Sequence, residues 1–260
     1  MRHFIFVIFG TTLWQVSEPK LSDYCQKSLC SENERHVACN GPTKMAPACG
    51  SNAKEILMDD GKKSLILDLH NKLRSKIASG KQNYTRSKFY PQAARMATLQ
   101  WDPQLAEVAA ANARGCEYGH DECRNTPKYP AAGQNIAIIN YYGKTYSDNE
   151  LITRFINDWY SEYSDANPSI IGSYPENYKG PQIGHFTQIA SDRTDRVGCA
   201  VVRYVKNPWN NVYIVCNYGL TNIIDQPVYV VGNACSQCRT GCNRQYSGLC
   251  NTNEAVSSVP

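Results

Sequence analysis

The sequence predicts an α+β domain in which helices pack on a three-stranded antiparallel sheet. Segments with helical periodicity alternate with short β-branched runs through the central part of the chain, and only a turn-like segment separates the last two runs. Both kinds of element have an apolar side, which a layered α+β arrangement buries. The chain has twelve cysteines, and eight of them lie before or after this central part. They indicate an additional covalent framework.

The first segment resembles a secretory signal peptide. Arg2 and His3 precede the apolar run Phe4 to Trp14, and polar residues follow it. The run is shorter than the roughly 20 apolar residues that a membrane-spanning helix needs, and no later stretch approaches that length. We therefore expect a signal peptide over residues 1–17, with an approximate cleavage site, and a secreted protein without a membrane span.

The cysteines predict six disulfides, because thiols pair and stay paired in an oxidising compartment. Four lie in residues 18–63, where apolar periodicity is weak, so we expect a disulfide-pinned extension that wraps around the domain rather than packing into it. Four more lie in residues 225–260, which predict a small cysteine-rich tail. No histidine accompanies the tail cysteines, which favours structural bridges over zinc. The net charge of +4 is too weak to indicate a nucleic-acid partner.

The first predicted helix begins near Ser64 and stops at Gly80. Its apolar residues recur at the spacing of three and four that one buried helix face requires. These residues are Ile66, Leu69, Leu73 and Ile77.

Two further helices carry recognisable N-terminal signals. Asp102 is a good N-cap followed by Pro103, and this helix is predicted to run to Gly115. The next opens with the capping box Ser147 to Glu150 and cannot continue through Pro168. Its buried face comprises Ile152, Phe155, Ile156, Trp159 and Tyr163.

Three strands complete the domain. The run Gly133 to Asn140 is apolar and β-branched, which favours a strand. Gly198 to Val205 and Val212 to Tyr218 flank the turn-like residues 207–211, so they predict an antiparallel hairpin. Cys199 and Cys216 are then expected to face each other across this hairpin. In a polar loop before these strands, the sequon Asn83-Tyr84-Thr85 predicts a glycan at Asn83.

Five motifs resemble those of the CAP superfamily, which includes cysteine-rich secretory proteins, antigen 5 and plant pathogenesis-related proteins. The two signature segments are Gly184 to Gln188, which reads Gly-His-Phe-Thr-Gln, and Cys216 to Gly219, which reads Cys-Asn-Tyr-Gly. The others are His70-Asn71-x-x-Arg74, Gly133-Gln134-Asn135-Ile136 and Trp159-x-x-Glu162. This resemblance implies the α-β-α sandwich of a CAP domain over residues 64–224.

The cysteines near the amino terminus and the segment Cys116 to Cys123 are similar to those of antigen 5-like venom and salivary proteins, and the tail resembles that of biting-fly members of the horse-fly type. The resemblance implies the bridges Cys25–Cys39, Cys30–Cys123, Cys49–Cys116 and Cys199–Cys216. It leaves open the three possible pairings among Cys235, Cys238, Cys242 and Cys250.

The resemblance also implies a cleft formed by His120, Gln134, Glu162 and His185. The family places an acid where this chain has Gln134, so a charge that would favour a metal and a group that could accept a proton are both lost. We expect no required cofactor, weak zinc binding at most through His120 and His185, and no enzymatic activity. A metal-dependent hydrolase is a remote alternative, and hydrogen-bonded histidines kept with the fold are the structural interpretation.

The first functional hypothesis is a monomeric carrier that binds a small hydrophobic ligand, such as a fatty acid, an eicosanoid or a sterol, and so modulates haemostasis or inflammation in a host. The resemblance implies a channel between helices, and it also implies an allergen that host IgE recognises. The apolar helix stripes supply the channel candidates, although such stripes form plain core more often than channels. They are Ile66, Leu69, Leu73, Ile152, Phe155, Ile156 and Trp159.

The second hypothesis is a protein-directed effector that inhibits platelet aggregation or blocks another receptor or channel. No Arg-Gly-Asp occurs in the chain, so the usual integrin motif is not the means. The candidate presentation loop lies between Cys30 and Cys39, since loops held by a rigid scaffold often carry recognition. It comprises Ser31, Glu32, Asn33, Glu34, Arg35 and His36.

Overall fold

The structure is a computed structural model that describes residues 24–257. The predicted signal peptide and the first residues of the predicted extension lie outside this range. All twelve cysteines lie within it.

Five strands form one sheet: β1 (Lys54–Glu55), β2 (Gln100–Trp101), β3 (Gly133–Tyr141), β4 (Arg196–Lys206) and β5 (Trp209–Tyr218). The order is β1-β4-β5-β3, and β2 pairs in parallel with β4. The three long strands are antiparallel, as predicted. The predicted turn over residues 207–211 is too long, because cross-strand pairing continues to Lys206 and Trp209. The two-residue strands were missed because so short a segment shows no periodicity.

Four α-helices in the described part of the chain accompany the sheet: α1 (Asp60–Ala78), α2 (Pro103–Ala113), α3 (Asp148–Ser161) and α4 (Gly184–Ala190). The capping predictions for α2 and α3 are confirmed, including the reciprocal capping box at Ser147. The predicted start of α1 at Ser64 is wrong, since the Asp59 carboxylate accepts a hydrogen bond from the Lys62 amide and starts the helix earlier. The seven-residue helix α4 was not predicted.

The sheet lies between two helical layers. One apolar cluster joins α1, α3 and α4 to one face of β4 and β5, and a second joins α2 to the other face through small side chains such as Ala109 and Ala113. This is the α-β-α sandwich that the resemblance implied. Its larger core lies on the side of α1 and α3.

The amino-terminal extension packs into the domain, which corrects the expectation that it only wraps around it. Tyr24 and Ala38 are buried against Val108 and Ala111 of α2, and the amide of Ile56 donates to the carbonyl of Val201 at 2.8 Å. These contacts come from isolated residues, so no apolar period announces them. The four bridges Cys25–Cys39, Cys30–Cys123, Cys49–Cys116 and Cys199–Cys216 have the pairing that the resemblance implied.

The tail is held by two bridges and is hydrogen-bonded to α1 and to the segment before β2. Its disulfides join Cys235 to Cys242 and Cys238 to Cys250, which selects one of the three open pairings. The Thr98 hydroxyl donates to the carbonyl of Cys250, and the Ser75 hydroxyl donates to that of Ser247. Within residues 24–257, no helix combines the length and the apolar character needed to cross a bilayer.

Candidate functional site

Arg74 of α1 is fully buried and organises the loops beneath the cleft. Its guanidinium donates to the backbone carbonyls of Ala97, Ile189, Ser191 and Thr194 at 2.6 to 3.2 Å. Burial lowers the pKa of Arg74 to about 10, so the side chain keeps its charge at neutral pH. This residue of the His-Asn-x-x-Arg motif therefore has a structural task, and it fixes the end of α4.

A chain of buried hydrogen bonds links α1 to the start of α4. Burial lowers the pKa of His70 to about 4, so its ring is neutral. Nδ1 donates to the Ile66 carbonyl at 2.8 Å, which leaves Nε2 to accept from the Tyr218 hydroxyl at 2.8 Å. The Asn135 amide donates to that hydroxyl and to the His185 carbonyl, at 3.3 and 3.2 Å. Both signature motifs thus meet in one network.

His185 is held by Glu162, which follows α3. One carboxylate oxygen lies 2.7 Å from His185 Nδ1, and the other accepts from the amides of His185 and Phe186 at 2.9 and 3.1 Å. The Trp159 ring stacks on the imidazole with centroids 5.8 Å apart. Glu162 therefore satisfies the first amides of α4 as well as orienting the ring, a role that leaves little of the carboxylate available for other chemistry.

His120 is held by Gln134 on β3. The Gln134 carbonyl oxygen lies 2.7 Å from His120 Nδ1, and its amide group donates to Asp121 at 2.8 Å and to Asn217 at 3.0 Å. Asp121 forms an ion pair with Arg124 at 2.6 Å. Asp121, which directly follows His120, was not predicted as a residue of the cleft. Gln134 thus connects the His120 imidazole to the carboxylate of Asp121, the next residue in the chain.

The two histidines line the same open cleft of about 620 Å³, together with Tyr174, Tyr178 and Gln182. Glu162 contacts Nδ1 of His185, and Gln134 contacts Nδ1 of His120. The Nε2 atom of each ring is therefore the one left for a further partner. The structure therefore brings the four predicted cleft residues together in two pairs, one on each side of the cleft.

This donor set does not fit a zinc site with three or four protein ligands. Among residues 24–257, no group of three or more His, Cys, Asp or Glu side chains has the arrangement needed to hold a metal ion. Zinc sites in proteins usually take at least three such ligands, whereas this cleft offers two imidazoles. Weak zinc binding through His120 and His185 stays a prediction, and no chemical step is derived from it.

The predicted lipid-channel residues form packed core, which corrects their assignment. Leu69 and Leu73 are half-buried, and the other five are buried in the apolar cluster between α1, α3 and the sheet. The helices meet along these side chains, so the stripe is used for packing. The five buried residues are Ile66, Ile152, Phe155, Ile156 and Trp159.

An apolar slot lies instead on the opposite helical layer, between α2 and the segment that leads from β1 to α1. Its volume is about 530 Å³, and its walls include Ile56, Leu57, Met58, Pro103, Ala106 and Ala110. Leu57 is 79% exposed although it is a large apolar residue. At the rim, Arg114 Nε lies 2.7 Å from a carboxylate oxygen of Glu55. The apolar tripeptide before α1 was a signal for this slot that the sequence interpretation did not use.

The presentation loop is exposed at Ser31 to Arg35 and fastened at both ends by the bridges Cys30–Cys123 and Cys25–Cys39. Including His36 in it was wrong. That ring is buried, stacks on Tyr24 with centroids 5.0 Å apart, and places Nε2 2.7 Å from the Asn125 carbonyl. The sequon residue Asn83 is exposed, and its side-chain amide donates to the Thr85 carbonyl at 3.2 Å.

Comparison with known proteins agrees with this architecture. A family model described as "CAP: Cysteine-rich secretory protein family" matches residues 67–218. Venom allergen-1 of Aedes albopictus is 46% identical over 238 residues, which are 91% of this chain and 90% of that protein. Antigen 5 like allergen Cul n 1 of Culicoides nubeculosus is 38% identical over 196 residues, which are 72% of this chain and 86% of that protein.

A solved structure has the same fold. The crystal structure of Na-ASP-1 matches with a TM-score of 0.63 and 27% identity, and it covers 80% of this chain and 51% of that one. Six disulfides within the described residues, together with the venom-allergen relatives, identify a secreted, extracellular protein. The chain belongs to the CAP family of cysteine-rich secretory proteins, among its venom allergen and antigen 5-like members.

Proposed function

We propose that the protein is a non-enzymatic carrier that binds a small amphipathic lipid, a fatty acid or an eicosanoid, in the apolar slot. The observation that carries the proposal is the combination of an apolar wall with a guanidinium at the rim. Leu57, Met58 and Ala106 offer surface to a hydrocarbon chain, and Arg114 offers a partner to a carboxylate beside Glu55 and Glu107, which also line the slot. Removal of such lipids would modulate haemostasis or inflammation in a host.

The dimensions of the slot support this ligand class. Its volume of about 530 Å³ falls in the range of roughly 300–1,000 Å³ typical of small-molecule sites. Arg114 is paired with Glu55, so a bound carboxylate has to share or displace that ion pair. A fatty acid matches this rim better than a sterol does, because a sterol carries a hydroxyl and no charge.

The first prediction is that arachidonic acid binds about tenfold more tightly than arachidonyl alcohol, which has the same chain without the carboxylate. A charge-assisted hydrogen bond contributes roughly 1.5–3 kcal/mol, and the competition from Glu55 removes part of it. Titration calorimetry on the purified full chain measures both affinities. Arg114→Gln should abolish the difference between the two ligands.

Two variants locate the site. Ala106→Phe fills the slot and should remove binding of both ligands, whereas Leu69→Ala enlarges the space between α1 and α3 and should leave both affinities unchanged. The opposite result would return the ligand to the predicted channel between those helices. No binding of either ligand by the wild-type chain would end the carrier proposal.

The hydrogen bonds that the cleft residues already make support the proposal that the protein is not an enzyme. Glu162 binds two backbone amides besides His185, and the amide of Gln134 occupies the place of the second acid. Relatives that are named allergens support the further proposal that host IgE recognises this protein.

A second candidate function is receptor blockade by the loop from Ser31 to Arg35, which is exposed and fastened at its ends by the two bridges. Glu32→Lys with Arg35→Glu should then abolish inhibition of platelet aggregation by lipid-saturated protein, with Glu117→Lys as a control at an exposed site elsewhere. Both loop side chains are exposed, so the fold should tolerate the change. Unaltered inhibition by the loop variant, or none by the wild type, would contradict this role.

A further inference from the structure

The end of the sheet around the β4–β5 turn exposes an unusual group of side chains. Three of the nine large apolar residues that are exposed within residues 24–257 lie there: Tyr142 just after β3, Val205 in β4 and Trp209 in β5 are 65%, 42% and 49% exposed. The Tyr142 and Trp209 rings contact each other edge to face, with centroids 6.3 Å apart. Trp209 is also directly opposite Lys206 in the β4–β5 register.

The charge at this end of the sheet is positive. Residues 142–147 and 204–211 contain Lys144 and Lys206 and no acid, and neither lysine forms an ion pair in the part of the chain that the structure describes. Of the nearest acids in sequence, Asp148 is neutralised by its ion pair with Arg203 at 2.7 Å. Glu150 accepts hydrogen bonds from Ser147 and keeps its negative charge, so the two lysines outnumber the one unpaired acid.

We propose that this sheet end, defined by Tyr142, Lys144, Val205, Lys206 and Trp209, docks on an anionic phospholipid surface. Tyrosine and tryptophan have an apolar ring with a polar group, which suits the depth of lipid headgroups. Lysines beside them are attracted by the negative potential of an anionic leaflet. The rings and the ammonium groups lie at the same end of the three long strands, so one approach of the molecule brings both to the membrane.

The slot and the sheet end are separate surfaces, and this inference does not rest on lipid carriage. No slot-lining residue belongs to the sheet end. Membrane docking would nevertheless hold a secreted protein near cell surfaces, which a freely diffusing carrier does not do. The docking is peripheral, because only side chains at one end of the sheet take part.

Vesicle sedimentation tests the proposal with the full secreted chain. The wild type should sediment with vesicles of equal parts phosphatidylserine and phosphatidylcholine and not with phosphatidylcholine vesicles, and binding should weaken as salt is raised. Lys144→Gln with Lys206→Gln should weaken binding roughly 25-fold, at about fivefold for each lysine. Tyr142→Ser with Trp209→Ser should weaken it by about tenfold or more, since the buried aromatic area is lost.

Matched controls separate this surface from general effects. Lys81→Gln with Lys179→Gln makes the same charge change elsewhere, and Phe89→Ser removes an exposed aromatic ring elsewhere; neither should change binding beyond about twofold. Equal binding to both kinds of vesicle, equal losses in control and test variants, or no binding at low salt would overturn the proposal. Loss of a dimer with the same sheet-end variants, in place of lost vesicle binding, would assign the surface to a second copy and overturn it too.

Discussion

Arg74→Met is expected to lower the free energy of unfolding by about 3–5 kcal/mol. Methionine fills a similar volume without polar atoms, but it leaves the four carbonyls bound by Arg74 without their donor. A buried acceptor that loses its partner costs about 1–3 kcal/mol, less where the loop relaxes or water enters. Denaturation by urea, followed by circular dichroism, measures the change.

The expected loss of stability comes from hydrogen bonds between Arg74 and the backbone, and not from one broken ion pair. The contacts are to backbone oxygens in the segment before β2, at the end of α4 and in the loop that follows α4. The carboxylates of Asp192 and Asp195 act on Arg74 only through the electrostatic field. Arg74→Lys should therefore be intermediate, because an ammonium keeps the charge but not the planar set of five donors.

Lys72→Met on the same helix is the matched control. Lys72 is exposed and paired with Asp68 at 2.7 Å, and exposed pairs of this kind contribute only about 0–1 kcal/mol. A stability of Arg74→Met within about 1 kcal/mol of the wild type would mean that water or a local shift satisfies the four carbonyls.

Elements with local signals were predictable from the sequence. The Asp102 cap and the Ser147 capping box are formed by neighbours in the chain, so the residues that make the contact are visible together. The pairing of Cys199 with Cys216 follows from a hairpin whose two runs are close in sequence. The motif resemblance added the remaining bridges outside the tail, two of which, Cys30–Cys123 and Cys49–Cys116, join residues far apart in the chain.

Elements defined by distant contacts were not predictable in this way. Helix α4 has only seven residues, and its two ends are held by Glu162, just after α3, and by Arg74 of α1. The link from His120 through Gln134 to Asp121 depends on β3 lying beside the 116–123 segment. The slot exists because α2 and the segment before α1 leave a gap, which is a property of their distance and not of either sequence.

The apolar face of α3 shows the limit of the resemblance. Its spacing predicted a buried face, and the structure has one, but the same spacing cannot distinguish a packed core from a channel. Ile152 and Ile156 are buried in the apolar cluster that joins α1, α3 and α4 to the sheet. The apolar stripe of α3 therefore forms part of the core. The candidate ligand site moves to a place where Leu57 remains exposed.

His70 is expected to make the stability of the fold depend on pH between about 6.5 and 4. Its pKa is about 4 in the folded chain, against an ordinary value of 6.5, and burial is the main cause. As the pH falls through this window, the unfolded chain binds a proton that the folded chain refuses. The free energy of unfolding therefore has its full value, as far as His70 determines it, above about pH 6.5. It falls by about 3 kcal/mol in total as the solution is acidified through this window.

Comparison of the wild type with His70→Gln isolates this effect, because both chains share every other titrating group. Burial also lowers the pKa of His36, which adds a loss in the same direction, and burial raises the pKa values of Asp192 and Asp195, which act in the opposite direction near the acidic limit. These contributions cancel in the difference between the two chains. The variant should be less stable at neutral pH, since glutamine cannot reproduce both ring contacts, and the difference should shrink as the pH falls. A difference that stays constant from pH 7 to pH 4 would show that the folded chain accommodates the imidazolium, and that the hydrogen bonds to Ile66 and Tyr218 do not hold the ring neutral.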